Sequence, residues 1–456
     1  MIRYLYIIAI ILLSFKSFAQ FGPQQIITQT ANGTQIIVAA DIDGDGNSDL
    51  VSANKFGNSI TWYKNLDGLG TFGSENLIAT LNETTFVSAA DIDGDGDIDL
   101  MAVAYFIDSV VWYENLDGNG NFSSQKIISD QADGASSLSI ADIDGDGDMD
   151  IISASDFLGL AWYENLDGQG NFSTTKIIDN TISNSRSVVA VDMDDDGDVD
   201  ILGNSSDTER IFWIENMDGI GTFGIRHSIN EIGSYSNVIF AADADGDGDM
   251  DVFSASPGDN EVAWYENLDG LGNFGPKSTI TDTLENAWTV FAADLDNDGD
   301  IDVLATSVET FGGEIVWFEN LDGQGNFSSK KTISTEVQSP RSVIAADIDN
   351  DGDMDVIASS QNDDKIAWYE NLTILGVEEN QIDTIKIYPN PTDGLLYIDA
   401  NIESIKGATV FDILGKKVLQ LEGNKQQVDI SSLESGMYFL NLKTESGQFN
   451  QKIIKK

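Results

Sequence analysis

The sequence predicts an all-β chain: a seven-bladed β-propeller of four-stranded blades, followed by a small C-terminal β-sandwich. Three observations carry this. An acidic nonapeptide begins at Asp41 and recurs from Asp91, Asp142, Asp192, Asp243, Asp294 and Asp347, at intervals of 50 to 53 residues. A second landmark, W-Y-E-N or a close variant, keeps the same period from Trp62, Trp112, Trp162, Trp213, Trp264, Trp317 and Trp368. Such a period marks a repeat architecture. Finally, short alternating apolar runs separated by turn clusters indicate strands, and no helical period is present. Units of four strands repeated this way describe a propeller.

The elements follow in chain order. Residues 1–19 read as a signal peptide: Arg3 is its positive end, residues 4–13 its apolar stretch, and Ser17-Phe18-Ala19 its small-residue cleavage site before Gln20. The apolar stretch is half the length of a membrane span, which needs about 20 residues, and no later stretch is long enough either. In the first repeat, residues 36–40 form a strand running into the acidic loop, and residues 50–53 a strand leaving it. Residues 60–65 form a third strand, LDGLGTF a Gly-rich turn, and residues 72–79 a fourth strand. The propeller is expected over 20–372. Its last repeat stops at Leu372 without a fourth strand, whereas residues 21–28 resemble one, so the N-terminal strand is expected to close the last blade. A linker at 373–382 leads to a module at 383–456 with seven short alternating runs, nine acidic and nine basic residues, read as a small sandwich.

Composition narrows function. With 77 acidic residues against 23 basic ones, the net charge is -54. Clustered Lys and Arg for nucleic acid are missing, and an anionic membrane surface is equally disfavoured. Hydrophobic residues at 41% can still build a core, so acidity does not mean disorder. Cysteine is absent and His227 is the single histidine, which excludes disulfides and thiolate chemistry and leaves little for imidazole.

The acidic loops have the ligand pattern of a hard cation. Calcium takes six to eight oxygens at about 2.3–2.6 Å, and Asp alternating with Gly in a tight turn supplies them. The candidate ligands, at loop positions 1, 3, 5, 7 and 9, are Asp41, Asp43, Asp45, Asn47 and Asp49, then Asp91, Asp93, Asp95, Asp97 and Asp99. The third and fourth loops offer Asp142, Asp144, Asp146, Asp148, Asp150, Asp192, Asp194, Asp196, Asp198 and Asp200. The fifth and sixth offer Asp243, Asp245, Asp247, Asp249, Asp251, Asp294, Asp296, Asp298, Asp300 and Asp302; the seventh, Asp347, Asp349, Asp351, Asp353 and Asp355. Position 7 can contribute its carbonyl, so Asn47 is tolerated. An EF-hand is excluded, because its twelfth position needs a Glu and the first loop has Ser52 there. Up to seven calcium ions are expected, in a structural role.

These loops, each followed by a β-branched strand, resemble the FG-GAP/VCBS repeat, the blade unit of integrin-α-type propellers. The resemblance covers residues 21–372 and implies calcium at the loop carboxylates. The fourth loop departs from it with Asp195 where the others have Gly or Asn, and a distorted turn is expected there. The strings Ile387-Tyr388-Pro389-Asn390-Pro391-Thr392-Asp393-Gly394, Asp412-Ile413-Leu414-Gly415-Lys416 and Gly436-Met437-Tyr438 resemble the type A C-terminal sorting domain of type IX secretion. That resemblance implies engagement of the secretion machinery and export across both membranes to the cell surface or beyond.

In a meander, successive turns alternate between faces, so the acidic loops and LDGxG turns share one face and the non-repeating turns the other. The repeated tryptophans read as core and the LDGxG strings as turn chemistry. The non-repeating turns carry the candidate ligand residues Trp288, Tyr105, Phe106, Phe157, Tyr235, Phe311, Arg186 and Arg341, since aromatics on irregular loops suit a binding surface. The function expected is a secreted, calcium-stabilised surface protein for binding or adhesion, recognising extracellular polysaccharide, glycoconjugate or a surface protein. The rivals are a polysaccharide-degrading lyase or hydrolase and a protein-binding scaffold. The sequence favours a binder over an enzyme, because no HExxH, nucleophile elbow or P-loop is present.

Overall fold

A computed structural model describes residues 20–205, 211–230, 236–309, 312–373, 385–400, 405–412, 416–422, 427–433, 436–444 and 448–456. Residues 1–19, most of the expected linker, Tyr235 and Phe311 lie outside the described residues. The chain divides into two compact units, 1–375 and 376–456.

Among the described residues, the first unit contains seven four-stranded antiparallel sheets. In the first sheet the strands are Thr34–Ala40, Asp49–Asn54, Ser59–Tyr63 and Asn76–Thr80, paired in that order. Ala40 pairs with Asp49 across the acidic hairpin, and Leu50 with Tyr63. Phe72 lies outside the fourth strand proper and makes an isolated bridge to Asn65. The second strand, DLVSAN, is buried at every position. Both of its faces are covered by neighbouring sheets, Val51 and Ala53 on one side and Leu50 on the other, so no position alternates out to solvent.

The core lies between sheets. Val51, Ile60 and Trp62 of the first sheet pack with Val87, Leu100, Val111 and Tyr113 of the second. The circle closes where Ile37, Leu50 and Tyr63 pack with Ile348, Ile357, Ile366 and Trp368 of the seventh. Each first strand touches the first strand of the next sheet all the way round, Thr34–Ala40 lying against Pro340–Ala346. The seventh sheet takes its fourth strand from the chain start: Gln25–Thr28 pairs antiparallel with Lys365–Tyr369. Phe21 then meets Trp317 edge-on at 6.0 Å, as Phe172 meets Trp112 and Phe223 meets Trp162.

The second unit has a three-stranded sheet of Ile385–Tyr388, Leu395–Ala400 and Gln427–Asp429. Its four-stranded sheet orders Lys417–Glu422, Ile405–Asp412, Gly436–Thr444 and Gln448–Lys455. Leu396, Val410, Val428, Leu440 and Leu442 are fully buried in its core.

Candidate functional site: acidic loops and an axial mouth

Each acidic loop is a hairpin wound on its own carboxylates. In the first, Gly44 and Gly46 adopt φ of 69° and 87°, a left-handed turn that glycine permits without strain. Asp41 accepts the amides of Asp45 at 3.1 Å and Gly46 at 2.8 Å, and Asp45 accepts that of Asn47 at 3.0 Å. Asp195 in the fourth loop adopts φ of 56°, and the Gly197-to-Asp192 and Asp198-to-Asp196 hydrogen bonds persist at 3.0 and 2.9 Å. The turn keeps its left-handed backbone, because aspartate tolerates that region better than most side chains, but Asp192 Oδ1 is left without the amide that Asp41 Oδ1 accepts in the first loop.

The ninth position couples the loop to its own sheet. Asp49 is fully buried; one oxygen accepts the Asn65 amide at 2.7 Å, the other the Trp62 indole N–H at 3.0 Å and the Ile42 amide at 3.4 Å. The 2.7 Å bond recurs from Asn115, Asn165, Asn216, Asn267, Asn320 and Asn371 to Asp99, Asp150, Asp200, Asp251, Asp302 and Asp355. The same asparagines reach sideways. Asn115 donates to the Ile42 carbonyl of the preceding loop at 2.9 Å, and Asn65 closes the circle on Ile348 at 2.8 Å. The repeated tryptophans are 2–8% exposed, and all but Trp317 lie against the second glycine of the next sheet's DGxG turn. A Cβ on Gly70, Gly120, Gly170, Gly221, Gly272 or Gly325 would stand 2.1–2.4 Å from an indole carbon. Within the turn, Asp67 accepts the amides of Leu69 and Thr71. The two landmarks are thus one device joining neighbouring sheets. His227 belongs to the same layer and stacks on Trp213 at 4.7 Å, where Lys126 and Lys176 lie over Trp112 and Trp162.

The third position leaves an oxygen without a partner in every loop, and the first-position Oδ1 of Asp192, Asp294 and Asp347 and both oxygens of Asp353 are unpaired as well. Oδ1 of Asp43, Asp93, Asp144, Asp194, Asp245, Asp296 and Asp349 is buried without a hydrogen bond in all seven loops. Within several loops, three carboxylates bring oxygens within 4.8 Å of one another, Asp41, Asp43 and Asp45 among them. A buried, unpaired carboxylate oxygen is costly, and three converging on one point fit a divalent cation with oxygen ligands. Charge regulation tells the same story. Burial first, then neighbouring carboxylates, pushes Asp144 and Asp245 up to about 6. At the ninth position burial lifts Asp49 to about 6, Asp99, Asp150, Asp200, Asp251 and Asp355 to about 7, and Asp302 to about 8.

The other candidate lies at the far end of the same inner strands. A cavity of about 350 Å³ is lined by Gln35, Thr85, Ser136, Arg186, Asn237, Trp288 and Arg341. Each is the sixth residue before the first Asp of its acidic loop. One side chain per sheet therefore reaches the axis at one level. Lys55, Phe86 and Tyr105 are among its other lining residues, and among the described residues no carboxylate residue lines it. The inner ring is tied circumferentially: Ser136 Oγ donates to the Ser185 carbonyl at 2.7 Å, and Asn237 Nδ2 to the Trp288 carbonyl at 3.1 Å. Arg341 lies 3.9 Å over the Trp288 ring, its Nε donating to Gln361 at 2.9 Å. Arg186 Nε stands 3.3 Å from Asp156, whose other oxygen accepts the Tyr105 hydroxyl at 2.5 Å. Burial and Asp156 push Tyr105 up to about 12.

Of the expected ligand residues, the structure brings Trp288, Tyr105, Arg186 and Arg341 together. Trp288 and Arg341 are not loop residues; they begin the strands Ala287–Ala293 and Pro340–Ala346. Phe106 and Phe157, 62% and 66% exposed, stand outside the cavity. Phe106 packs edge-on against Tyr105 at 5.0 Å, and Phe157 covers Gly134 in an outer turn. Gln35, Lys55, Thr85, Ser136 and Asn237 escaped the sequence reading. Aligning the repeats on their acidic loops and reading six residues upstream finds all but Lys55.

Comparison with known proteins agrees with this architecture. The FG-GAP-like repeat matches residues 41–102, 101–153, 144–203, 192–254, 243–305 and 299–358. The secretion system C-terminal sorting domain matches residues 386–456. Two solved structures of BBS1N in complex with ARL6DN, soaked with lead and with mercury, superpose with TM-scores of 0.55 and 0.54 at 11% identity. They cover 79% and 78% of this chain and 99% and 98% of theirs, and show likeness of fold. The ulvan lyase NLR42 of Nonlabens ulvanivorans is 30% identical over 125 residues, 26% of this chain and 22% of the lyase. This chain thus spans about a fifth of that relative's length.

Proposed function

We propose, from the premise that this chain belongs to the FG-GAP-like repeat family and carries a type IX sorting domain, that it is an exported binding protein. Its axial mouth takes an acidic extracellular saccharide, and its acidic loops hold calcium as a structural ion. The sorting domain sends the protein to the cell surface or the extracellular space. Among the described residues no helix is long and apolar enough to cross a membrane.

The observation that carries the binding reading is convergence. Lys55, Arg186, Arg341 and Trp288 come from four different sheets yet line one cavity whose described lining holds no carboxylate residue, in a chain whose net charge is -54; Glu83 and Asp156 stand behind Lys55 and Arg186 at 3.9 and 3.3 Å. Guanidinium groups pair in two-pronged fashion with carboxylate or sulfate. The stacking of Arg341 on Trp288 holds one such group against an aromatic platform. The acidic loops do not cancel this field. They lie one inner strand away, about 20 Å at some 3.3 Å per residue, against a Debye length of about 8 Å in physiological salt. At about 350 Å³ the mouth is at the small end of ligand pockets, which run from roughly 300 to 1,000 Å³. It suits a short stretch or an end of a glycan.

For the loops, the seven unpaired third-position oxygens support calcium. The ion would supply the positive charge that these carboxylates lack and fasten the hairpin. Positions 1 and 3 face that point together with position 5 in the first and third loops and with position 9 in the second, fourth and fifth; position 9 and the Asn beside it also carry the loop's geometry to the neighbouring sheet.

A polysaccharide-degrading enzyme is the second reading, favoured by the partial likeness to an ulvan lyase. Among the described residues, the Tyr105–Asp156–Arg186 group is its candidate machinery at the mouth. A phenol held near 12 is protonated at neutral pH and suited to donate rather than accept a proton. The test is to incubate the calcium-loaded mature chain with a panel of acidic and neutral glycans, assaying retention and new chain ends. Retention of acidic glycans without new ends supports the binder. New chain ends move the protein to the enzymes. No retention of any glycan removes the saccharide reading.

A further inference from the structure

Two residues after the repeated tryptophan, six of the seven repeats carry a glutamate: Glu114, Glu164, Glu215, Glu266, Glu319 and Glu370. The first carries Lys64. Its Nζ forms an ion pair with Asp43 Oδ2 and stands 3.0 Å from Asp45 Oδ2. Those are the third and fifth positions of the first acidic loop, and the Asp43 side chain is only 9% exposed. At three of the six glutamates a lysine pairs with the carboxylate: Glu114 with Lys126 at 2.5 Å, and Glu164 and Glu319 with Lys176 and Lys331. The same loop is the one with Asn47 in place of aspartate at position 7. Asn47 Oδ1 accepts a 3.0 Å hydrogen bond from Asn350 of the seventh loop. The first loop with its lysine thus sums to -3, four aspartates and one ammonium, against -6 for the second, five aspartates and Glu114.

We infer that Lys64 is a tethered cation that closes the first loop in place of a divalent ion, so that calcium binds at six loops rather than seven. The ammonium occupies the approach to the carboxylates that a metal would need. A divalent ion within ligand distance of Asp43 and Asp45 would face a like charge a few ångströms away. The location gives this meaning. The first loop sits at the seam where the chain's two ends are joined, with Asn65 bonded to the Ile348 carbonyl and Asn350 to Asn47. The first loop's side of the seam, and the bond its Ile42 carbonyl accepts from Asn115 of the second sheet, then keep their geometry when calcium falls.

The inference rests on the calcium reading above, and ion counting separates the two. Native mass spectrometry of the calcium-loaded mature chain is expected to show at most six bound ions, and K64E one more. D43N should leave the count unchanged, whereas D93N should lower it by one; this pair decides the question even if K64E does not fold. Seven ions in the unmodified chain, a lost ion in D43N, or an unchanged count in folded K64E would overturn the role of Lys64. No bound calcium in any form would remove the calcium reading itself.

Discussion

Removing calcium is the perturbation whose size can be worked from the loops. At a free concentration ten times its dissociation constant, an ion that binds only the folded state contributes about 1.4 kcal/mol. Six such loops contribute about 8 kcal/mol, comparable with the whole stability of an ordinary domain, about 5–15 kcal/mol. Unfolding entropy is about 2.1 cal/mol/K per residue, so a propeller of roughly 350 residues changes stability by about 0.7 kcal/mol per degree near its midpoint. Chelation should therefore lower the melting temperature by about 10 °C. The effect should exceed that of ordinary surface charge screening, because the third-position oxygens are buried and have no other partner. Scanning calorimetry of the mature chain in millimolar calcium, then in excess chelator, reads it directly. A midpoint that moves by less than about 2 °C, only about a fifth of that shift, would refute the energetic role given to the loops.

Other consequences concern packing, protons and the mouth. Gly170→Ala places a methyl 2.1 Å from Trp112 at φ of 71°, and should cost about 2–5 kcal/mol from strain plus overpacking. Gly147→Ala, with φ of 97° and nothing within 4 Å, should cost only the conformational part, about 1–2 kcal/mol; equal costs in denaturant melts would count against the inter-sheet contact. In the calcium-free protein the ninth-position carboxylates hold protons up to about 7 when folded, above their ordinary value of 3.8. The folded state then binds more protons than the unfolded one between about pH 4 and 7, and stability falls as pH rises through that window. A calcium-free melting temperature that rises steadily from pH 4.5 to 7 would contradict this sign. Trp288→Ala should weaken retention of an acidic glycan at least tenfold and move the melting temperature by less than about 2 °C, since a half-exposed cation–aromatic stack is worth only about 0.5–1 kcal/mol. A collapse of stability would make Trp288 a core residue.

The fold was legible because its determinants repeat. Trp62, Asn65, Asp49 and Gly120 serve neighbouring junctions, and the Asn–Asp bond and the Trp–Gly contact recur around the ring. Periodicity therefore displayed tertiary contacts as well as strands. The closing role of residues 21–28 was legible for the same reason, as a fourth strand missing at one end and present at the other. The mouth was only half legible. Arg186, Trp288 and Arg341 attract notice as singular residues, but their meeting depends on ring closure between strands about 50 to 150 residues apart, as in repeat arrays generally. Exposure alone drew Phe106 and Phe157 into the same set, although outer turns hold them outside the cavity. Small polar side chains such as Ser136 and Asn237 gave no signal until the register placed them at the axis. Lys64 was visible as a lone departure from glutamate, but its contact with Asp43 needed the loop and the third strand side by side.

The central claim, that the cationic mouth selects an acidic saccharide, is tested most directly by titrating one retained acidic oligosaccharide and its neutral counterpart into the calcium-loaded mature chain and into R186Q/R341Q. The account predicts that the native chain prefers the acidic form and that the double variant, still folded, loses at least tenfold in affinity for it. Equal affinity for both sugars, or unchanged binding in the double variant, would contradict it.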